Sequence, residues 1–157
     1  MSADGLQVRP FTHDDVEAVW DLMRALAIFE GYIDAFAVTP DVLRLHGLGA
    51  APAFGVFVAA KGEAFAGIAV YYRIPWTYDL KPVVVLKELY VAEAFRGQGV
   101  GQALFAHLRA HAVDIGASAL RWTVLPDNAA AQRFYAGQGG TCDADWQHWT
   151  LPLQTRI

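Results

Sequence analysis

The stretch that most restricts the fold is Arg-Gly-Gln-Gly-Val-Gly, residues 96–101. It follows a β-branched run at residues 83–91 and precedes apolar residues at helical spacing, so it predicts a turn from a strand into a helix. Glycine is costly inside regular structure, but it lets backbone N–H groups converge at a helix N-terminus, where the helix dipole adds partial positive charge. Such a turn is suited to bind phosphate or pyrophosphate.

Two common phosphate-binding motifs do not match these glycines. A P-loop ends in Gly-Lys-Ser/Thr, whereas Gln-Ala follows Gly101. A dinucleotide fingerprint, Gly-x-Gly-x-x-Gly, would need its last glycine at Gln102 if it began at Gly97, and at Leu104 if it began at Gly99. An ordinary glycine-rich turn without a ligand stays open as the alternative.

The hydrophobic pattern on both sides of the turn predicts a mixed α/β sheet. Thr12, with Asp15 at the capping-box position, and Thr39-Pro40 are signals for the start of a helix. The elements follow in the order β-α-α-β-β-β-α-β-α-β, and a length of 157 residues suits a single domain over residues 1–157. The predicted strands are residues 6–11, 54–60, 64–73, 83–91, 118–125 and 146–151, and the predicted helices are residues 13–29, residues 40–48, a helix from the glycines to Gly116 and a short helix within residues 127–140.

Composition restricts the partners and the compartment. The chain has 157 residues, a formal net charge of -4 and no Lys/Arg cluster, which argues against a nucleic-acid partner. The single cysteine, Cys142, excludes an intramolecular disulfide and fits a reducing compartment. The first residues lack the apolar core of a signal peptide, and no apolar run is long enough to span a bilayer. We therefore expect a cytoplasmic protein without a membrane partner.

Two motifs carry a resemblance to a known family. Arg96-x-x-Gly99-x-Gly101, after a strand that ends in Leu-Tyr-Val, resembles the acetyl-CoA motif of the GNAT N-acetyltransferases. Residues 124–140, VLPDNAAAQRFYAGQGG, resemble the later motif of that family, in which a strand is followed by an Asn and by a helix that bears a Phe-Tyr pair. More loosely, ALAIFE, GIAVYYR and a Trp-containing loop are similar to the diamine branch, which includes the spermidine/spermine acetyltransferases. The resemblance implies a mixed, mostly antiparallel, twisted sheet flanked by helices.

The resemblance also implies acetyl-CoA as the co-substrate and assigns residues to it. Leu89, Tyr90 and Val91 match the strand edge that pairs with the pantetheine arm, where a backbone N–H would polarise the thioester carbonyl. Asn128 matches a cofactor contact, or it caps a helix. Phe134 would pack beside the cofactor or in the core. The pyrophosphate would be held, mainly by main-chain N–H groups, at Arg96, Gly97, Gln98, Gly99, Val100, Gly101 and Gln102.

The resemblance identifies Tyr135 as the acid that protonates the leaving CoA thiolate. Glu88 is the best candidate for the base that takes a proton from the amine, because its apolar neighbours would raise its pKa. Glu30 is the second candidate, and either carboxylate could instead bind a cationic substrate. Trp76 could wall the acceptor site or serve as packing. The polyamine enzymes carry two adjacent acids where this chain has Lys87-Glu88, which favours a smaller or amino-acid-like amine over spermidine.

Other chemistries have weaker support. His107 and His111 are four residues apart on one predicted helix, but no third metal ligand is evident, so we predict surface histidines and no metal. Cys142 has no obvious His partner for a thiol nucleophile.

We therefore predict direct transfer of acetyl to a small primary amine in a ternary complex, without a covalent enzyme intermediate. A protein or peptide acetyltransferase and a non-catalytic acyl-CoA-binding module stay open as alternatives. The family often forms homodimers, and we expect one here.

Overall fold

The fold is built on a five-stranded sheet, seen in a computed structural model that describes residues 5–154. Residues up to Thr123 form one compact unit, and residues from Val124 onwards form a second. No helix in the described part of the chain is long and apolar enough to cross a membrane. The strands are β1 Leu6–Pro10, β2 Gly55–Lys61, β3 Ala64–Pro75, β4 Pro82–Val91 and β5 Ala119–Arg121, and the α-helices are α1 Val16–Glu30, α2 Pro40–Gly47, α3 Val100–Asp114 and α4 Ala129–Gly137.

The strands lie side by side in chain order, β1-β2-β3-β4-β5. The first four are antiparallel. Short connections join β2, β3 and β4, whereas α1 and α2 lie between β1 and β2, and β5 is parallel to β4 because α3 crosses over between them. The predicted mixed, mostly antiparallel sheet is therefore confirmed.

Helices cover both faces of this sheet. Side chains alternate between faces along a strand, so Val58 and Phe57 point in opposite directions. Val58, with Ile68 and Val70, packs against apolar residues of α1 and α2 in the main core. Phe57 instead contacts His107 of α3, with ring centroids 4.5 Å apart. One face of β2 and β3 therefore packs against α1 and α2, and the other face packs against α3.

The predicted capping box at Thr12 forms, but it opens a 3-10 turn, His13–Asp15, that leads into α1. The Thr12 backbone N–H donates to the Asp15 carboxylate at 2.8 Å, and the Thr12 carbonyl accepts from the Asp15 N–H at 3.0 Å. Arg9 of β1 adds two donors to the same carboxylate, at 2.6 and 3.0 Å. This buried carboxylate therefore ties the first strand to the first helix, and the arginine partner was not predicted.

Two predicted strands are wrong in whole or in part. The strand predicted at residues 118–125 is only Ala119–Arg121, because β5 pairs with β4 over three residues and then has no ladder to extend. The strand predicted at residues 146–151 does not form, and its residues are exposed. A segment with an alternating pattern becomes a strand only when its backbone N–H and C=O groups pair with a neighbouring strand. No described strand pairs with this segment.

We predict that Asp15→Ala lowers the free energy of unfolding by about 3 kcal/mol at pH 7, because it leaves a part-buried guanidinium and the Thr12 N–H without their acceptor. The Arg9 hydrogen bonds hold the pKa of Asp15 below its usual value. The stabilisation is thus present above the unfolded pKa of about 4 and is lost as pH falls through the lower folded pKa.

Urea unfolding of both proteins between pH 7 and pH 3 measures this difference. Asp14→Ala, a change at the exposed neighbouring aspartate, is the control and is expected to cost less than about 0.5 kcal/mol. Equal losses in the two variants would contradict the assignment.

Candidate functional site

One edge of β4 is the first element of the site. β5 pairs with β4 only from Val83 to Val85. From Leu86 to Val91 no strand among residues 5–154 pairs with β4 on this edge, although β3 continues along the other. The predicted pantetheine residues, Leu89, Tyr90 and Val91, lie on this stretch. Unpaired N–H and C=O groups on such an edge are suited to pair with an extended ligand in the manner of an added strand.

The glycine turn follows directly after this edge. Gly97 and Gly99 have φ of 75° and 79°, a left-handed conformation that side chains other than glycine rarely adopt, which explains two of the three glycines. Gly99 is the N-cap of α3, and its carbonyl accepts from the Ala103 N–H at 3.0 Å. The first N–H groups of α3 have no partner within the helix, and the dipole adds positive charge there. The predicted strand-to-helix turn is confirmed.

Arg96 connects this turn to the end of β4. Its Nε donates to the Val91 carbonyl at 3.1 Å. Its guanidinium lies 5.0 Å from the ring centre of Phe29 and 5.7 Å from that of Tyr90. These contacts position the turn, so Arg96 has a structural role whatever charge it presents to a ligand. The Gln98 side chain likewise donates to the Ala94 carbonyl at 3.2 Å.

A β-bulge brings Lys87 and Glu88 to the same cavity. Val70 of β3 pairs with Glu88 and Tyr71 pairs with Leu86, so Lys87 is the extra residue in β4. Strict alternation would place neighbouring side chains on opposite faces, but a bulge redirects one of them. Lys87, which is exposed, and Glu88, which is half-buried, both line a cavity on the α1 and α2 side of the sheet. Sequence reasoning missed the bulge, because it has no local signal in this strand.

The cavity has a volume of about 250 Å³. One wall is the connection between α1 and α2, held in place by Trp20, whose Nε1 donates to the Val38 carbonyl at 2.7 Å and whose ring packs on Phe36. The cavity is lined by Met23, Tyr32, Ala35, Phe36, Ala37, Val38, Val42, Leu43, Phe54, Val70, Tyr72, Lys87 and Glu88.

Glu88 is the carboxylate of this cavity. Burial raises its pKa; the nearby charge of Lys87 opposes the shift and that of Glu30 adds to it. The predicted rise in the pKa of Glu88 is therefore present, and desolvation is its main cause. A carboxylate with a raised pKa is a stronger base at neutral pH than an ordinary glutamate.

Tyr32 is a polar residue of the cavity that the sequence analysis missed. Burial, together with the charges of Glu88 and Glu30, raises its pKa to about 12. It therefore stays protonated, with a hydroxyl that can donate a hydrogen bond. Its position follows from Gly31, whose left-handed conformation ends α1 and turns the chain across the cavity. In the sequence, the only feature that pointed to Tyr32 was a Gly-Tyr pair directly after an amphipathic helix.

The remaining predicted substrate residues divide between two places. Glu30 is the exposed last residue of α1, and its charge reaches both Glu88 and Tyr32. Trp76 follows the last residue of β3, and the centre of its ring lies 5.0 Å from the guanidinium carbon of Arg121. It is not among the residues that line the cavity. Tyr72 of β3, by contrast, does line the cavity.

The second unit carries the other predicted residues. The Asn128 side chain accepts from the Ala131 N–H at 3.1 Å, so its helix-capping role is confirmed, while its cofactor contact stays a prediction. The Phe134 and Tyr135 rings pack edge-on, with centroids 5.1 Å apart. Burial raises the pKa of Tyr135, which keeps the phenol protonated at neutral pH. A proton donor must be in that state before it reacts.

The residues weighed for other chemistry have ordinary surroundings. His107 and His111 are half-buried against Phe57, so the predicted surface placement is wrong for both. Burial and His107 lower the pKa of His111. Cys142 is exposed. Within residues 5–154 no group of three or more His, Cys, Asp or Glu side chains is arranged to hold a metal ion.

Comparison with known proteins decides the family. A family described as Acetyltransferase (GNAT) matches residues 48–139, which include the cavity strands, the glycine turn and α4. The chain belongs to the acetyltransferase (GNAT) family. This GNAT domain is similar over its whole fold to an aminoglycoside acetyltransferase from an uncultured soil metagenomic sample, with a TM-score of 0.81 and 21% identity across 96% of this chain and 97% of that one. The predicted family, fold and enzyme class are confirmed.

Two curated relatives are similar in sequence to this GNAT acetyltransferase. It is 27% identical over 159 residues to the spermidine/spermine N(1)-acetyltransferase-like protein 1 of Homo sapiens, in a match that covers 96% of this chain but only 22% of that protein. It is also 27% identical over 152 residues to the thialysine N-epsilon-acetyltransferase of Bos taurus, across 92% of this chain and 89% of that one.

We predict that Glu88→Gln raises the free energy of unfolding at pH 8. A carboxyl whose folded pKa is raised binds its proton more tightly in the folded state, so folding loses stability as pH rises from the unfolded pKa of about 4 through the folded one. Removing the charge removes that loss, and the gain disappears at low pH. Urea titrations at pH 8 and pH 4 measure it, with the exposed Glu63→Gln as control. A gain of the same size at both pH values would contradict the burial of a charged Glu88.

Proposed function

We propose that this protein transfers acetyl from acetyl-CoA to the primary amine of a small molecule by direct attack in a ternary complex. The observation that carries the proposal is the position of Glu88. Its carboxyl lines the cavity from β4, the strand whose unpaired edge leads into the glycine turn. An acceptor in the cavity and a thioester along that edge would thus meet at one strand.

The residues of the first unit fit acetyl-CoA in two respects. The unpaired edge from Leu86 to Val91 offers backbone groups to the amides of a pantetheine arm. The left-handed glycines at 97 and 99 leave the N-terminal N–H groups of α3 without an intervening side chain, as a pyrophosphate requires. When bound, acetyl-CoA supplies the activated acetyl group.

The protein groups each have a defined task in this proposal. The Glu88 carboxylate accepts the proton that the amine loses as its nitrogen forms a bond to the acetyl carbonyl carbon. A backbone N–H of residues 89–91 donates to the carbonyl oxygen as negative charge develops there. Tyr135 then donates its phenolic proton to the CoA sulfur as the C–S bond breaks. The products are an N-acetylated amine and CoA thiol, and the proton balance closes when Glu88 and Tyr135 exchange protons with water.

The acceptor follows from the same residues. The substrates in the names of the relatives, thialysine, spermidine/spermine and aminoglycosides, all carry primary amines, which supports a small amine acceptor. Lys87 stands where a second acid would favour a polycation, so we favour a smaller or amino-acid-like amine. A homodimer and a cytoplasmic location stay predictions.

The direct test is incubation of the protein with acetyl-CoA and a panel of diamines, polyamines, lysine analogues, aminoglycosides and short peptides. Release of CoA thiol is followed, and products are identified by mass. Acetylated small amines above background hydrolysis are the expected result. Transfer only to peptides would replace the proposal by a protein acetyltransferase, and acetyl-CoA binding without any transfer would replace it by a binding module.

We predict that Tyr135→Phe lowers kcat by about 100-fold or more while the Kd for acetyl-CoA changes less than about threefold, because only the proton donor is removed. Stopped-flow thiol release and calorimetric titration measure the two quantities. Tyr78→Phe, at an exposed loop tyrosine, is the matched control. Parallel losses in turnover and binding would instead assign Tyr135 to cofactor packing.

We predict that kcat/KM of the wild type falls on the acid side with an apparent pKa above the ordinary glutamate value of about 4.3, because Glu88 must be deprotonated and burial raises its pKa. Glu88→Gln is expected to lower kcat about 100-fold and to remove this acid limb. The part of the pH dependence of kcat/KM that comes from deprotonation of the amine substrate should remain in both proteins. An unchanged pH profile in the variant would exclude Glu88 as the base.

A further inference from the structure

The inner surface of the cavity beside Glu88 is apolar. Its deepest lining residues, Met23, Leu43 and Val70, are almost fully buried, and the aromatic rings of Phe36 and Phe54 complete the wall. At about 250 Å³ the cavity is smaller than the usual range for drug-sized ligands, about 300–1,000 Å³. A ligand that fills it must therefore be small and must place its non-reacting end against hydrocarbon.

The cavity has few polar groups, and they include charges of both signs. Among the residues that line it, Glu88 is the only acid and Lys87 the only base, and the other polar side chains are the hydroxyls of Tyr32 and Tyr72. The charge of Glu30, at the end of α1, adds one more negative charge in reach of Glu88. Two acids and one lysine leave a single net negative charge. This charge matches one ammonium group, and a second one inside the cavity would meet Lys87 or an apolar wall at a large desolvation cost.

We infer that the acceptor is a small primary monoamine whose non-reacting end is uncharged and apolar, and that Lys87 and the apolar wall together reject diamines and polyamines. The inference rests on the proposed function and narrows it: of the two acceptors favoured there it keeps the smaller amine and drops the amino-acid-like one, whose carboxylate would have to lie against the apolar wall. A preference for such a monoamine would distinguish this protein from relatives whose names refer to polyamines or aminoglycosides.

Three amines of equal length test the inference on the wild-type protein. They are n-hexylamine, 1,6-diaminohexane and 6-aminohexanoate, which differ only at the end away from the reacting nitrogen. We expect kcat/KM for n-hexylamine to exceed that for either charged analogue by at least about tenfold, since the apolar wall cannot solvate a second charge. In a series from ethylamine to hexylamine, kcat/KM should rise about fourfold per methylene until the cavity is filled.

Variants separate the contribution of Lys87 from that of the wall. Lys87→Gln removes the repulsion of a second ammonium, so the ratio of kcat/KM for n-hexylamine over 1,6-diaminohexane should fall several-fold. Lys81→Gln makes the same change of charge at an exposed lysine just before β4 and should leave the ratio as it is. Equal ratios in wild type and Lys87→Gln would remove Lys87 from the explanation of specificity.

The possible outcomes are distinguishable. Equal or better use of 1,6-diaminohexane or spermidine would overturn the inference, would assign the second ammonium to Glu30, and would leave the proposed acetyltransferase function intact. A flat chain-length series would overturn it as well, because it would mean that the apolar wall does not contact the substrate. No transfer to any amine, with acetyl-CoA bound as judged by calorimetry, would overturn the inference and the proposed function together.

Discussion

The pairing of β4 is the constraint on which the rest of the site depends. Its first half has a partner on both edges, and its second half has β3 alone. Where β3 and β5 both pair with it, the strand is fixed in the sheet. Where only β3 pairs with it, backbone N–H and C=O groups are left that could pair with a ligand. The same strand carries Glu88 into the cavity and ends at Val91, whose carbonyl holds Arg96 and with it the glycine turn. One strand therefore positions Glu88, the unpaired edge and the glycine turn, to which the proposed function assigns the base, the thioester and the pyrophosphate.

Features with local causes could be predicted from the sequence. The Thr12 box, the Thr39 cap and the Asn128 cap each depend on a side chain that accepts from an N–H group three residues away. The left-handed glycines at 97 and 99 likewise need only their own conformation. Features that depend on a distant partner were wrong or missed. The length of β5 depends on how far β4 can pair with it, and a strand at residues 146–151 needed an edge that the sequence does not identify.

The same distinction between local and distant causes explains which residues of the candidate site could be predicted. Glu88 was predicted because its apolar neighbours are its sequence neighbours, and burial raises its pKa as expected. Tyr32 was missed because it reaches the cavity only after the chain turns at Gly31, and its role depends on the three-dimensional closeness of Glu88 and Glu30. The bulge at Lys87 was missed because the register of β3 against β4 is a property of the pair of strands.

The bulge also bears on how a half-buried Glu88 is compatible with a stable domain. Burial of the Glu88 charge costs folding free energy, and a second buried acid beside it would add to that cost by like-charge repulsion. Because Lys87 is the extra residue in β4, its positive charge lies on the same cavity and lowers the pKa of Glu88 against the effect of burial. The lysine thus limits the cost of burying the Glu88 charge. Under the proposed function, the same positive charge would also work against a polycationic acceptor, so one residue would affect both the stability of the strand and the choice of substrate.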